Sequence, residues 1–139
     1  MFKLQLIVFF SLLVSFNGIA QCANQASDVQ CVEKITASNT FVKSYKLDPQ
    51  RDGDTEFSTV LVKDVRYYLN LCEDGVVSNN VVINVFDNKR KLIVSNKTDE
   101  QSINSELSFT CDKTGVYYFI FKEGAVKGTC GLGALSFRK

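Results

Sequence analysis

The sequence predicts an all-β protein, an antiparallel β-sandwich of about eight strands preceded by one short helix and a signal peptide. Three observations carry that expectation. Beyond Thr40, apolar and polar residues alternate in short runs, which is the two-residue period of a half-buried strand. The runs are rich in Val, Ile, Phe and Tyr, side chains that suit a pleated surface. Short polar turns separate most of them, too short for the crossover helices that a parallel sheet requires.

The chain has 139 residues, and residues 1–20 read as a signal peptide. Lys3 supplies the basic start, and residues 4–16 are apolar apart from Gln5 and Ser11. Gly18 and Ala20 place small residues at the two positions a signal peptidase reads, giving a cut before Gln21. The apolar run falls short of the roughly 20 residues that span a bilayer. The expected location is therefore secreted or periplasmic, with no stable membrane insertion after cleavage. A lipid-modified Cys22 would want a small residue in front of it, and Gln21 is large and polar. The expected organisation is a signal peptide at 1–20, a leader with a short helix at 21–39, and the sandwich domain at 40–139.

Residues 22–38 carry the helical spacing. Val29, Val32 and Ile35 recur at threes, with Asp28, Glu33 and Lys34 between them. In the first strand, 41–47, alternation puts Phe41, Tyr45 and Leu47 on one face. The next pair, 57–62 and 65–72, is split by Lys63 and Asp64. Phe57, Thr59 and Leu61 share one side of the former, and Val60 and Val62 the other. Residues 81–86 and 91–95 form a hairpin across Asp87, Asn88, Lys89 and Arg90. Strands at 107–111, 116–122 and 130–137 complete the set.

The run from Phe57 to Phe121 resembles the bacterial pre-peptidase C-terminal domain, most specifically in the Thr-Gly-x-Tyr-Tyr step from Thr114 to Tyr118. The resemblance also extends to small stand-alone secreted bacterial proteins of the same pattern. It implies a jelly-roll-like sandwich serving as an accessory module. An immunoglobulin sandwich is the structural competitor, but it would want a buried Trp, and the chain has none.

Composition excludes several functions. The formal charge is +1 and falls to neutral when Lys3 leaves with the signal peptide. The signs are interspersed, so the clustered basic footprint of a nucleic-acid binder is missing. The triplet Lys89-Arg90-Lys91 reads as a solvated hairpin tip. Histidine is absent, which removes Ser-His and Cys-His nucleophile pairs, His-ligated zinc and imidazole acid–base catalysis.

Five cysteines, Cys22, Cys31, Cys72, Cys111 and Cys130, follow the signal peptide, and in an exported chain they imply disulfides with one thiol left over. If successive strands alternate in direction, Cys72 and Cys130 lie at one end of the sandwich, and Cys111 lies with the leader at the other. That favours bridges Cys72–Cys130 and Cys31–Cys111, with Cys22 as the odd one.

Oxygen ligands at alternate positions, Asp52, Asp54 and Glu56, imitate the opening of a calcium loop, and Asp48 adds a fourth acid nearby. Counted from Asp52, the EF-hand positions six and twelve are Phe57 and Lys63, so that motif fails and only an irregular calcium-dependent adhesion site stays open. Paired carboxylates for attack on a polysaccharide would have to come from Glu73, Asp74, Asp99, Glu100 and Asp112, all in turns where acids are common anyway. In the pairs Tyr67-Tyr68 and Tyr117-Tyr118, alternation sends one ring inward and one outward, and an outward ring packs against neighbours or contacts a sugar or protein. Asn96-Lys97-Thr98 fits the N-glycosylation pattern. The reading is a non-catalytic binding or accessory module, not an enzyme, with no cofactor, no metal and an unknown protein or carbohydrate partner. The alternatives are a carboxylate enzyme and a calcium-dependent adhesion module.

Overall fold

A computed structural model describes residues 25–47, 53–99, 102–122 and 130–138. Helix α1 (Gln25–Thr36) is followed by β1 (Thr40–Leu47), β2 (Thr55–Leu61), β3 (Arg66–Glu73), β4 (Val76–Val77), β5 (Val82–Phe86), β6 (Leu92–Ser95), β7 (Glu106–Thr110), β8 (Gly115–Lys122) and β9 (Gly131–Arg138). The strands form two antiparallel sheets. The first runs β1-β9-β3, and β3 pairs beyond that with β7 along one half and with the short β4 along the other. The second runs β2-β8-β5-β6. This is the expected all-β sandwich. The strand the sequence hides is β4, whose two residues are too few to show alternation.

The sheets are glued by the inward residues of each strand. Tyr45, Leu69, Leu71, Leu107 and Leu135 from the first sheet meet Leu61, Ile83, Val85, Phe119 and Phe121 from the second. Each such side chain contributes about 1.5–3 kcal/mol when fully buried. Rings interlock across the layers: Tyr45 lies 4.8 Å from Phe57 and 5.7 Å from Phe119, the latter edge-on. The Tyr45 hydroxyl hydrogen-bonds the Thr59 hydroxyl at 2.6 Å, so the ring is buried without an orphaned polar tip, and burial raises its pKa.

Strand β9 breaks the alternation, because residues 131–136 are all buried. Its inner face meets the second sheet, while its outer face lies under α1, where Leu132 and Ala134 pack with Val32 and Cys31. A strand covered on both sides must be made of small and apolar residues. Gly133 is the tightest point: a Cβ there would stand 2.9 Å from Cζ of Phe121.

Two expectations are corrected. Phe41 does not share a face with Tyr45 and Leu47. A β-bulge between Phe41 and Lys43 shifts the register, so Phe41 pairs with Ser136 on the outer side of the sheet and is 49% exposed. The disulfide pairing also differs. Cys31 is bonded to Cys72, with Cα atoms 6.1 Å apart, while Cys111 is a free, buried thiol. Cys130 is disulfide-bonded, but not to Cys72. The face a cysteine points to, and not the end of the sandwich it lies at, decides its partner. Leu71 occupies the inner position of β3, so Cys72 points outward, beneath the helix that carries Cys31. Cys111 belongs to the inner core and cannot reach that helix.

The helix is anchored at a second point. Asp28, buried despite its charge, accepts a 2.9 Å hydrogen bond from the backbone of Gly75 in the β3–β4 turn. Gly75 has φ +80°, and a Cβ there would meet Cβ of Ser27 at 3.0 Å, so glycine is required on both counts. The signal-peptide reading, the status of Cys22 and the positions of Asp48, Asp52 and Glu100 lie outside the described residues.

Candidate functional site: a cleft at the turn end of the sandwich

One end of the sandwich is built from three turns: 62–65 between β2 and β3, 87–91 between β5 and β6, and 111–114 between β7 and β8. Hydrogen bonds make them rigid. The Asp64 backbone donates to the Cys111 carbonyl at 2.8 Å, and the Cys111 backbone donates to the Val65 carbonyl at 3.0 Å. The Lys63 backbone donates to the Thr114 hydroxyl at 2.9 Å, which gives the threonine of the Thr-Gly-x-Tyr-Tyr step a structural duty. In the 87–91 turn the Asp87 carboxylate accepts from the backbones of Lys89 and Lys91, each at 2.9 Å, the usual way Asp organises a turn. Asp64 and Arg90 hold φ of 65° and 63°, the left-handed conformation that closes each turn.

Where the β5–β6 and β7–β8 turns face each other across the seam between the sheets, a cleft of about 270 Å³ opens. Its rim carries Lys89, Lys91 and Lys113 together with Asp87 and Asp112, and its wall includes Ile93, Phe109 and Tyr117. The Tyr117 hydroxyl donates to the Lys113 carbonyl at 2.8 Å, and the Cys111 thiol donates to the same oxygen at 3.1 Å. Burial, reinforced by the neighbouring Cys111, pushes the Tyr117 pKa up to about 12. That phenol is protonated at ordinary pH and ties the 111–114 turn to β8.

The sequence predicts a solvated tip at Lys89-Arg90-Lys91, and the structure divides the triplet. Lys89 and Lys91 stand on the cleft, whereas Arg90 folds back over the outer face of the second sheet. No local signal reveals this, because the cleft needs residues 87–91 and 110–117 side by side.

The other singled-out residues fall as follows. Tyr67 and Tyr117 point into the core, and Tyr68 and Tyr118 point outward, as alternation requires. Tyr68 lies on the first sheet and Tyr118 on the second, so the two outward rings sit on opposite faces of the molecule and cannot share one ligand. Glu56 is held by Arg90 at 2.9 Å, a hydrogen bond that lowers the Glu56 pKa and takes the carboxylate away from the imagined calcium loop. Asp54 is exposed. Among the described residues no three His, Cys, Asp or Glu side chains gather to hold a metal ion.

The solved structures include a likeness. The crystal structure of Aeromonas hydrophila PliG, a periplasmic lysozyme inhibitor of g-type lysozyme, superposes with a TM-score of 0.50. The alignment covers 73% of this chain and 90% of that one, at 12% sequence identity. The likeness is one of fold. No family model and no curated protein matches the chain, so the pre-peptidase resemblance stands as a reading of the sequence.

Proposed function

We propose that this protein is an exported, non-catalytic module that binds another protein through the turn-end cleft, and that its partner is a lysozyme-type hydrolase. The cleft carries the reading. Its rim presents charged side chains from two turns whose backbones are already fixed by hydrogen bonds, so little ordering entropy is lost on docking. Its lining adds the exposed apolar side chains of Ile93 and Val116, surface of the kind that anchors protein interfaces. The periplasmic inhibitor of similar fold supports the class of partner, and the signal-peptide reading supports export.

The test is a titration of g-type lysozyme with the purified, oxidised protein, following both the clearing of a peptidoglycan suspension and the heat of binding. Stoichiometric loss of lysozyme activity is expected, weakened by Lys89→Glu with Lys113→Glu. Neither heat nor inhibition would overturn the assignment of partner. Inhibition that the double variant leaves untouched would overturn the assignment of site.

A further inference from the structure

Helix α1 covers only part of the outer face of the first sheet. Toward the turn end that face opens at Phe41, Arg66 and Arg138, with Ser136 buried between them, and its register can be read row by row. Phe41, Ser136, Tyr68 and Ser108 lie in line across β1, β9, β3 and β7. In the next row Arg138, Arg66 and Thr110 lie in line across β9, β3 and β7. Two arginines therefore sit directly opposite each other on neighbouring strands, an arrangement that repels and destabilises a sheet.

Among the described residues neither Arg66 nor Arg138 has a carboxylate partner, although Glu106 stands on the same face. Both guanidiniums converge instead on Tyr68, 5.8 Å and 5.4 Å from its ring centre. Their polar contacts are uncharged: Arg66 donates to the Ser108 hydroxyl at 3.0 Å, and Arg138 to the Asn39 side-chain carbonyl at 3.2 Å. Asn39 in turn donates to Ser136 at 3.1 Å, so Arg138 is steadied from below. Beside this pair Phe41 is turned out by the bulge and half exposed.

We propose that Phe41, Arg66, Tyr68 and Arg138 form a docking surface for an acidic segment of a partner protein. This surface is distinct from the turn-end cleft and does not depend on the partner assigned to it. Two guanidiniums without a carboxylate partner among the described residues supply forked donors that match carboxylates, and their mutual repulsion is relieved when an anion lies between them. The setting favours a protein over a small anion. The patch combines exposed Phe41, Arg66 and Arg138 with half-buried Tyr68, and Phe, Tyr and Arg are residue types enriched where protein interfaces concentrate their energy.

The experiment titrates the ¹⁵N-labelled, oxidised protein with a hexaglutamate peptide, and separately with polygalacturonate, while following backbone and arginine side-chain NMR signals. Hexaglutamate is expected to move the signals of Arg66, Tyr68 and Arg138. The double variant Arg66→Gln/Arg138→Gln is expected to weaken the peptide by at least about tenfold. The single variant Phe41→Ser, at a half-exposed position outside the core, tests the apolar contact and is expected to weaken the peptide. Shifts confined to Lys89, Lys91 and Lys113, or no shifts, would overturn the proposal. Tighter binding of polygalacturonate than of the peptide would overturn the choice of a protein partner.

Discussion

The guanidinium of Arg90 lies 3.7 Å from the centre of the Tyr118 ring while its Nη1 donates to the Glu56 carboxylate at 2.9 Å. One side chain, projecting from the β5–β6 turn, thus reaches across β8 to β2 and ties three parts of the second sheet together. The contact is solvent-exposed, so its contribution is modest and sensitive to salt.

Its pH dependence has a defined sign. Glu56 has a lowered pKa in the folded protein because Arg90 stabilises its charged form. The stabilisation is therefore fully present above the unfolded carboxylate pKa and is lost as pH falls through the lower, folded value. The difference in melting temperature between wild type and Arg90→Gln should be greatest near neutral pH, shrink under acid conditions and shrink in high salt. Thermal melts across pH and salt check this.

The Cys31–Cys72 bridge spans a sequence separation of 41 residues and fastens α1 over β9. Its loss by Cys31→Ser with Cys72→Ser should cost about 2–4 kcal/mol in urea unfolding. Peptide mapping of the oxidised protein should recover the Cys31–Cys72 pair. Cys111 should resist alkylation until the protein is unfolded, because it is buried in the core.

Gly133 faces the ring of Phe121, itself 2% exposed and unable to swing away. Gly133→Ala should destabilise by about 1–3 kcal/mol, as overpacked cores do. Phe121→Leu, introduced in that background, should cost less than it does alone. A double-mutant cycle by chemical denaturation measures the coupling.

Asn96 is 3% exposed and acts as a hub. Its side-chain nitrogen donates to the Val81 and Asn104 carbonyls at 3.0 Å and 3.1 Å, and its oxygen accepts from the Ile83 backbone at 2.7 Å. Asn96→Ala should cost about 1–3 kcal/mol by stranding buried partners. The same geometry leaves no room for a glycan on that nitrogen. In a eukaryotic secretory host, Thr98→Ala should remove the acceptor pattern, spare the hub and raise the yield of folded protein, as read by gel shift and recovered soluble protein.

That one ring of each tyrosine pair points outward, and that Val60 and Val62 share the side opposite Leu61, was legible because a strand's period of two is a local property. The 87–91 hairpin was legible because Asp87 organises the turn from within. The cleft was not, since Lys89 and Lys113 become neighbours only when the sheets close.

By itself, then, the sequence determined the strands other than β4, the alternation of faces along them apart from Phe41, the helix and the exclusion of histidine chemistry, all of which rest on near-neighbour spacing and composition. Tertiary structure decided the rest. A single bulge turned Phe41 outward beside Arg66 and Arg138, and the outward phase of Cys72 chose Cys31 as its partner. These depend on register and on which face of a sheet is covered, and both are set by contacts between residues distant along the chain.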